Sequence, residues 1–203
     1  MGSDHLFNPY IEVNADVDLP HANDIRQENL QNYLNSFTSY PDILLLGEAP
    51  GWRGCRFSGI PFTSEAQLIE GELPFHGSQT SNSSIPHQEI TATTFWKFMK
   101  PYHPRFLVWN CIPFHPSKPG KPLSNRQPTR DEIACSLPLL IQLIDMIDPK
   151  QVIAVGRTAQ HTLHLIEREC EKVRHPAHGG ANEFRRELAR ILQSSFNEGK
   201  NIV

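Results

Sequence analysis

Apolar positions along this chain fall into two rhythms. Three short runs are apolar without alternation: Asp42–Leu46 (DILLL), Phe106–Asn110 (FLVWN) and Gln151–Val155 (QVIAV). Runs of that length predict strands buried on both faces, as in a parallel sheet. Between them lie stripes at helical spacing. Residues 23–37 carry Ile25, Leu30, Tyr33, Leu34 and Phe37, and Pro41 breaks the pattern. Residues 91–100 predict a second helix. Thr129 opens a third with a capping box, Thr129-x-x-Glu132, and its apolar face runs through Leu139, Leu140, Leu143, Ile144 and Ile147 to a stop at Pro149. A helix over about Thr158–Glu169, a short fourth strand at Lys172–Arg174 and a final helix over Ala181–Gln193 complete the prediction.

Two long segments interrupt this alternation. Residues 71–90 (GELPFHGSQTSNSSIPHQEI) are rich in Gly, Ser, Pro and Asn. Residues 113–128 (PFHPSKPGKPLSNRQP) hold five prolines and read as too punctuated for regular structure. Long loops in compact domains are often functional. Residues 1–22 are polar and irregular. Strands separated by helices predict one α/β domain over residues 1–203, a three-layer α/β/α arrangement around a mostly parallel four-stranded sheet. Ligands in such sheets bind beyond the carboxyl ends of the strands, which here hold Glu48, Asn110, Gly156 and His175.

Composition narrows the classes. The chain has 203 residues, 38% hydrophobic and 20% charged, as expected of one soluble globular domain. No run approaches the roughly 18 apolar residues of a membrane helix, and MGSDHLFNPY has no basic-then-apolar start of a secretory signal. A cytoplasmic location and no membrane partner are expected. Cys55, Cys111, Cys135 and Cys170 form no C-x-x-C pair, so isolated reduced thiols are expected rather than a metal site or cluster. His161 and His164 stand three apart on a predicted helix, but no carboxylate or cysteine accompanies them. No cofactor and no metal are expected. The net charge of −3 neither supports nor excludes nucleic-acid binding, because a local basic patch can serve where the average does not.

The most telling stretch is Leu44–Glu65, LLLGEAPGWRGCRFSGIPFTSE, where an acid follows directly on a strand-ending glycine. With GEAPG (47–51) go SGIPF (58–62), the Asn that ends LVWN, NRQPT (125–129), VIAVG (152–156) and HPAHGG (175–180). Together and in this order they resemble the uracil-DNA glycosylase superfamily, over about residues 42–190. The resemblance implies hydrolysis of a glycosidic bond to a base in DNA. That reaction builds positive charge on the sugar and negative charge on the departing base. Glu48 is placed to stabilise the first and orient water, and His175 to donate to the second. Asn110 matches the family's reader of the flipped base, since a carboxamide both donates and accepts. Phe62 matches the ring that stacks on that base. Gly47, Ala49, Pro50 and Gly51 form the turn beside it, and Gly47 and Gly51 permit close backbone approach. Blander roles stand beside these: a helix-dipole acid for Glu48, a loop-fixing residue for His175, a turn Asn for Asn110 and core packing for Phe62.

Departures from the family pattern are plain. Gly51 stands where the most uracil-selective members carry an aromatic barrier. The iron–sulfur branch shares GEAPG, but its two N-terminal cysteines are missing. Ala49 replaces a frequent Asn or Asp, and His175-Pro176-Ala177 replaces the common H-P-S, removing a hydroxyl that suits a phosphate. His115, in PFHP (113–116), either lines the pocket or caps its loop. Arg53, Arg56, Lys118, Lys121, Arg126, Arg174, Arg185 and Arg186, with His178 and Gly179, are the candidates for contact with the DNA backbone. No lysine lies within the motifs to form a Schiff base, so a monofunctional, metal-free glycosylase acting as a monomer on uracil or a related base is expected. Rival readings are a glycosylase for a bulkier modified base and a non-catalytic binder of modified DNA with the same fold.

Overall fold

The computed structural model describes residues 5–198, with side chains through residue 193. Its elements, in chain order, are β1 (Leu6–Phe7), α1 (Ala22–Asn35), β2 (Ile43–Gly47), α2 (Cys55–Ser58), α3 (Glu65–Glu70) and α4 (Ile90–Met99). Then follow β3 (Phe106–Asn110), β4 (His115–Pro116), α5 (Arg130–Ile147), β5 (Gln151–Val155), α6 (Arg157–Leu165), β6 (Glu171–Val173) and α7 (Ala181–Glu198).

The apolar runs form a four-stranded parallel sheet in the order β3-β2-β5-β6, flanked by helices as a three-layer α/β/α sandwich. Ile43, Leu44, Leu45 and Leu46 are all buried, which is why their stretch shows no polar alternation. Register pairs Gly47 with Asn110 and Leu46 with Ala154, while Val155 pairs with Val173. All four strands point the same way, so residues just past Gly47, Asn110, Val155 and Val173 share one edge of the sheet. The predicted capping box is formed: Thr129 Oγ1 accepts from Glu132 N at 3.2 Å, and Glu132 Oε2 accepts from Thr129 N at 2.7 Å.

The irregular segments are more ordered than their composition predicts. Residues 113–128 contain β4, paired antiparallel with β1 from the N-terminal segment, Leu6 with Pro116 and Phe7 with His115. Asp18, Arg26 and Arg56 form a buried ion cluster: Asp18 accepts from Arg56, and Arg26 Nη2 reaches Asp18 Oδ2 at 2.8 Å. The Phe7 ring covers both guanidiniums, at 4.2 Å from Arg56 and 5.3 Å from Arg26. Buried charges are tolerated only when paired and hydrogen-bonded. Arg26 Nη1 meets that demand further by donating to Pro9 O at 2.7 Å and Glu12 O at 3.0 Å. The 71–90 loop is held by buried Glu65, which accepts from the backbone amides of Thr80 (2.6 Å), Ser81 (2.7 Å) and His87 (3.2 Å). A second capping box, Ser64-x-x-Gln67, starts the helix that carries Glu65. That signal was present in the sequence.

Candidate active site

Beyond the carboxyl edge of the sheet lies a cavity of about 950 Å³. Glu48, Ala49, Pro50, Gly51, Phe62, Asn110, Arg126, Arg174, His175 and His178 all line it, so one feature gathers most of the residues singled out in the sequence.

Glu48 follows β2 directly and faces the first turn of α6. Thr158, the second residue of that helix, donates its hydroxyl to Glu48 Oε2 in a short hydrogen bond. A carboxylate at a helix N-terminus is also favoured by the helix dipole. The Glu48 carboxylate is thus fixed at the carboxyl edge by the helix that follows the neighbouring parallel strand, β5. The chain separation of 110 residues hid this partner from the sequence.

Phe62 and Asn110 meet over Gly47. A Cβ at Gly47 would stand 2.7 Å from Asn110 Oδ1 and closer still to the Phe62 ring edge, so only glycine fits. Phe62 itself adopts a left-handed backbone (φ 52°), an unusual conformation for an aromatic residue that points to a functional constraint. Its ring lies 4.9 Å from Phe95 and 6.0 Å from the His175 ring. Asn110 is 3% exposed, yet its side chain forms no hydrogen bond among the described residues. A carboxamide that lines a cavity without a protein partner leaves both its donor and its acceptor open to that space.

His175 follows β6. Ala177 N donates to His175 Nδ1 at 3.1 Å. Nδ1 therefore acts as the acceptor, which places the proton of the neutral ring on Nε2. Burial, helped by the charge of His178, lowers the His175 pKa and favours that neutral form. Gly180 is required in the same loop, since a Cβ there would meet Arg174 Nε at 2.9 Å and the His175 carbonyl closer still. His178 and Gly179 both sit in left-handed conformations (φ 52° and 78°) and His178 is exposed at the rim.

His115 is not among the cavity-lining residues. It is buried, with Nδ1 2.7 Å from Pro50 O and Nε2 3.2 Å from Pro122 O. It clamps the proline-rich loop to the GEAPG turn, the loop-fixing alternative of the two left open by the sequence. Burial lowers its pKa, against the raising effect of the two carbonyls.

The basic candidates divide sharply. Arg56 is 1% exposed and belongs to the buried Asp18 cluster, so it cannot meet a phosphate; its assignment to the DNA surface is corrected. Arg126 is spent on bonds to Glu132 (2.6 and 2.7 Å), Ser117 O (2.8 Å) and His5 O (3.1 Å), although it borders the cavity. Arg174 borders the cavity half exposed, 3.3 Å from Glu183. Arg53 is exposed and stacks on Trp52 at 4.6 Å. Lys118 and Arg185 are exposed but stand outside the cavity lining. Arg157 and Lys172, unmarked by sequence reasoning, are exposed at its rim. Glu89, from the end of the 71–90 segment, was missed as well. All four cysteines are free thiols, and among the described residues no group of three or more His, Cys, Asp or Glu is placed to hold a metal ion. No helix among them is long and apolar enough to cross a membrane.

A carboxylate, a buried carboxamide, an imidazole donor and an aromatic ring share one cavity at the carboxyl edge of the sheet, a set whose chemistry suits a flat, polar ring. The chain belongs to the uracil DNA glycosylase superfamily, whose family model matches residues 35–195. A type-4 uracil-DNA glycosylase of Pyrobaculum aerophilum is 39% identical over 54 residues, which is 26% of this chain and 28% of that protein. The crystal structure of SMUG2 from Pedobacter heparinus shares the fold, with a TM-score of 0.66 over 95% of this chain and 88% of that one, at 13% identity.

Proposed function

We propose that this protein is a monofunctional DNA glycosylase that hydrolyses the N-glycosidic bond of uracil or a related modified base in DNA. The observation that carries the proposal is the convergence of Glu48, Phe62, Asn110 and His175 on one cavity at the carboxyl edge of the sheet. Membership of the superfamily and the local match to a type-4 uracil-DNA glycosylase support it.

In this reading the target nucleotide leaves the stack and its base enters the cavity, where the Phe62 ring lies against its face. Asn110 pairs with the base edge through its free donor and acceptor. As the bond to C1′ lengthens, positive charge grows on the sugar and negative charge on the base. Glu48, fixed by Thr158, stabilises the sugar cation and orients the attacking water through its other oxygen. His175 donates through Nε2–H to the base carbonyl nearest the breaking bond, and donors already aimed at developing charge are the most effective kind. Arg53, Arg157, Lys172, Arg174 and His178 supply positive charge and donors to the phosphates around the mouth.

The test is base release from oligonucleotides carrying uracil, 5-hydroxymethyluracil, hypoxanthine or xanthine, in single and double strands. Release of uracil or 5-hydroxymethyluracil, leaving an abasic site without strand cleavage, is expected. Exclusive release of a purine would support the bulkier-base reading. Binding without release from any of them would support the non-catalytic one.

A further inference from the structure

Glu89 stands apart from the family motifs, at the junction of the 71–90 segment and α4, yet its side chain lines the same cavity as Glu48 and Asn110. Two glycines make room for its carboxyl. A Cβ at Gly51 would lie 2.5 Å from Glu89 Oε1, and one at Gly54 would lie closer still to Oε2. The backbone of the turn therefore passes under this carboxyl with no side chain between them. The carboxyl has no hydrogen-bond partner among the described residues, in contrast to Glu65 and Glu132, which are saturated with donors. Glu89 is half-buried, and a carboxyl turned into a cavity without a protein partner is open to water or to a ligand.

We propose that Glu89 is a specificity-determining residue that reads the flipped base, its protonated carboxyl donating a hydrogen bond to a ring carbonyl. This rests on the glycosylase reading and names a second polar contact in its pocket. Burial alone pushes the Glu89 carboxyl up to about 7, so both protonation states are populated near neutrality. Protonated, it offers a donor to the lone pair of a ring carbonyl that Asn110 leaves open; ionised, it offers acceptors only and repels that carbonyl. A methyl group pressed against it leaves the carboxyl unpartnered, which disfavours thymine over uracil. The neighbouring groups leave the titration to Glu89 itself. The turn at 51–54 presents glycine backbone, α2 presents the Cys55 thiol, which burial pushes up and keeps protonated, and His87 on the same segment stacks on Phe57 at 4.4 Å. Glu48 and His175 line the same cavity, and Glu89→Gln separates their titration from its own.

Binding of the free base uracil, followed by NMR titration at pH 6 and pH 8, tests this directly. A carboxyl with a pKa of about 7 is about nine-tenths protonated at the lower pH and one-tenth at the higher. Affinity of the unmodified protein should therefore fall about tenfold between them. Glu89→Gln keeps a donor and an acceptor and should bind at both pH values within about twofold of the unmodified protein at pH 6. Gly54→Ala retains the carboxyl but displaces it, and should weaken binding at pH 6. Equal pH dependence in the Glu89→Gln variant, flat binding in the unmodified protein, or no uracil binding by either would overturn the proposal. Base release from oligonucleotides that persists in any of those cases leaves the glycosylase reading standing. Titratable uracil binding without base release would remove the enzyme and keep the base-reading carboxyl.

Discussion

The His175 ring is the best-defined donor in the cavity, and its removal has a calculable consequence. Ala177 N occupies Nδ1, so Nε2–H is the only hydrogen the neutral ring has to offer a ligand. His175→Ala deletes that one donor. Loss of one donor aimed at a developing oxyanion costs about 2.7–4 kcal/mol, or about a hundred- to a thousandfold in rate. The freed Ala177 amide is only half-buried, so little of the loss should appear as reduced stability. His178→Ala should cost less than about tenfold, because that ring is exposed at the rim and has no fixed geometry toward the base. Since burial lowers the His175 pKa, the folded protein binds fewer protons there than the unfolded chain. Its effect on stability is thus complete above the ordinary imidazole value of about 6.5 and is lost as the pH falls below it. Single-turnover rates on a uracil-containing oligonucleotide, at pH 7.5 and saturating enzyme, provide the comparison. A His178→Ala defect equal to or larger than that of His175→Ala would show that the donor has been assigned to the wrong ring.

Two other substitutions probe different parts of the molecule. Asp18→Asn leaves Arg26 and Arg56 buried without their counter-charge and should reduce stability by about 3–5 kcal/mol, read from equilibrium urea unfolding; a loss under about 1 kcal/mol would mean that the cluster is hydrated and Arg56 is available to DNA. Asn110→Asp replaces an amide donor by an acceptor and should shift base release from uracil toward cytosine, whose amino group donates; an unchanged ranking of bases would remove Asn110 from edge recognition.

The parts of this fold that the sequence disclosed are those whose cause is local. Leu44, Leu45 and Leu46 form an unbroken apolar run because both faces of β2 are covered, and the run can be read without knowing what covers it. Thr129 and Glu132 close their capping box within one turn. The same pattern at Ser64 and Gln67 is harder to read from sequence, because the helix it opens is only six residues long. What escaped has its cause far along the chain. Arg56 looks like any surface arginine until Asp18, 38 residues earlier, is brought against it. β1 and β4 are strands of two residues each, formed only because the two loops meet. Thr158 acquires its role from Glu48, and Glu89 from glycines at 51 and 54. Motif order located the cavity; it did not show which polar groups inside it are held and which are free.

The most direct test of the glycosylase mechanism is Glu48→Gln, which keeps the side-chain shape and an acceptor for the Thr158 hydroxyl while removing the charge that faces the sugar. Single-turnover release of uracil and equilibrium binding of the same oligonucleotide, measured on one preparation, separate chemistry from recognition. Release should fall by about a hundredfold or more while the dissociation constant stays within about threefold of that of the unmodified protein. Release at an unchanged rate would contradict the role of Glu48, and a loss of release matched by an equal loss of binding would make it a residue of DNA recognition rather than of catalysis.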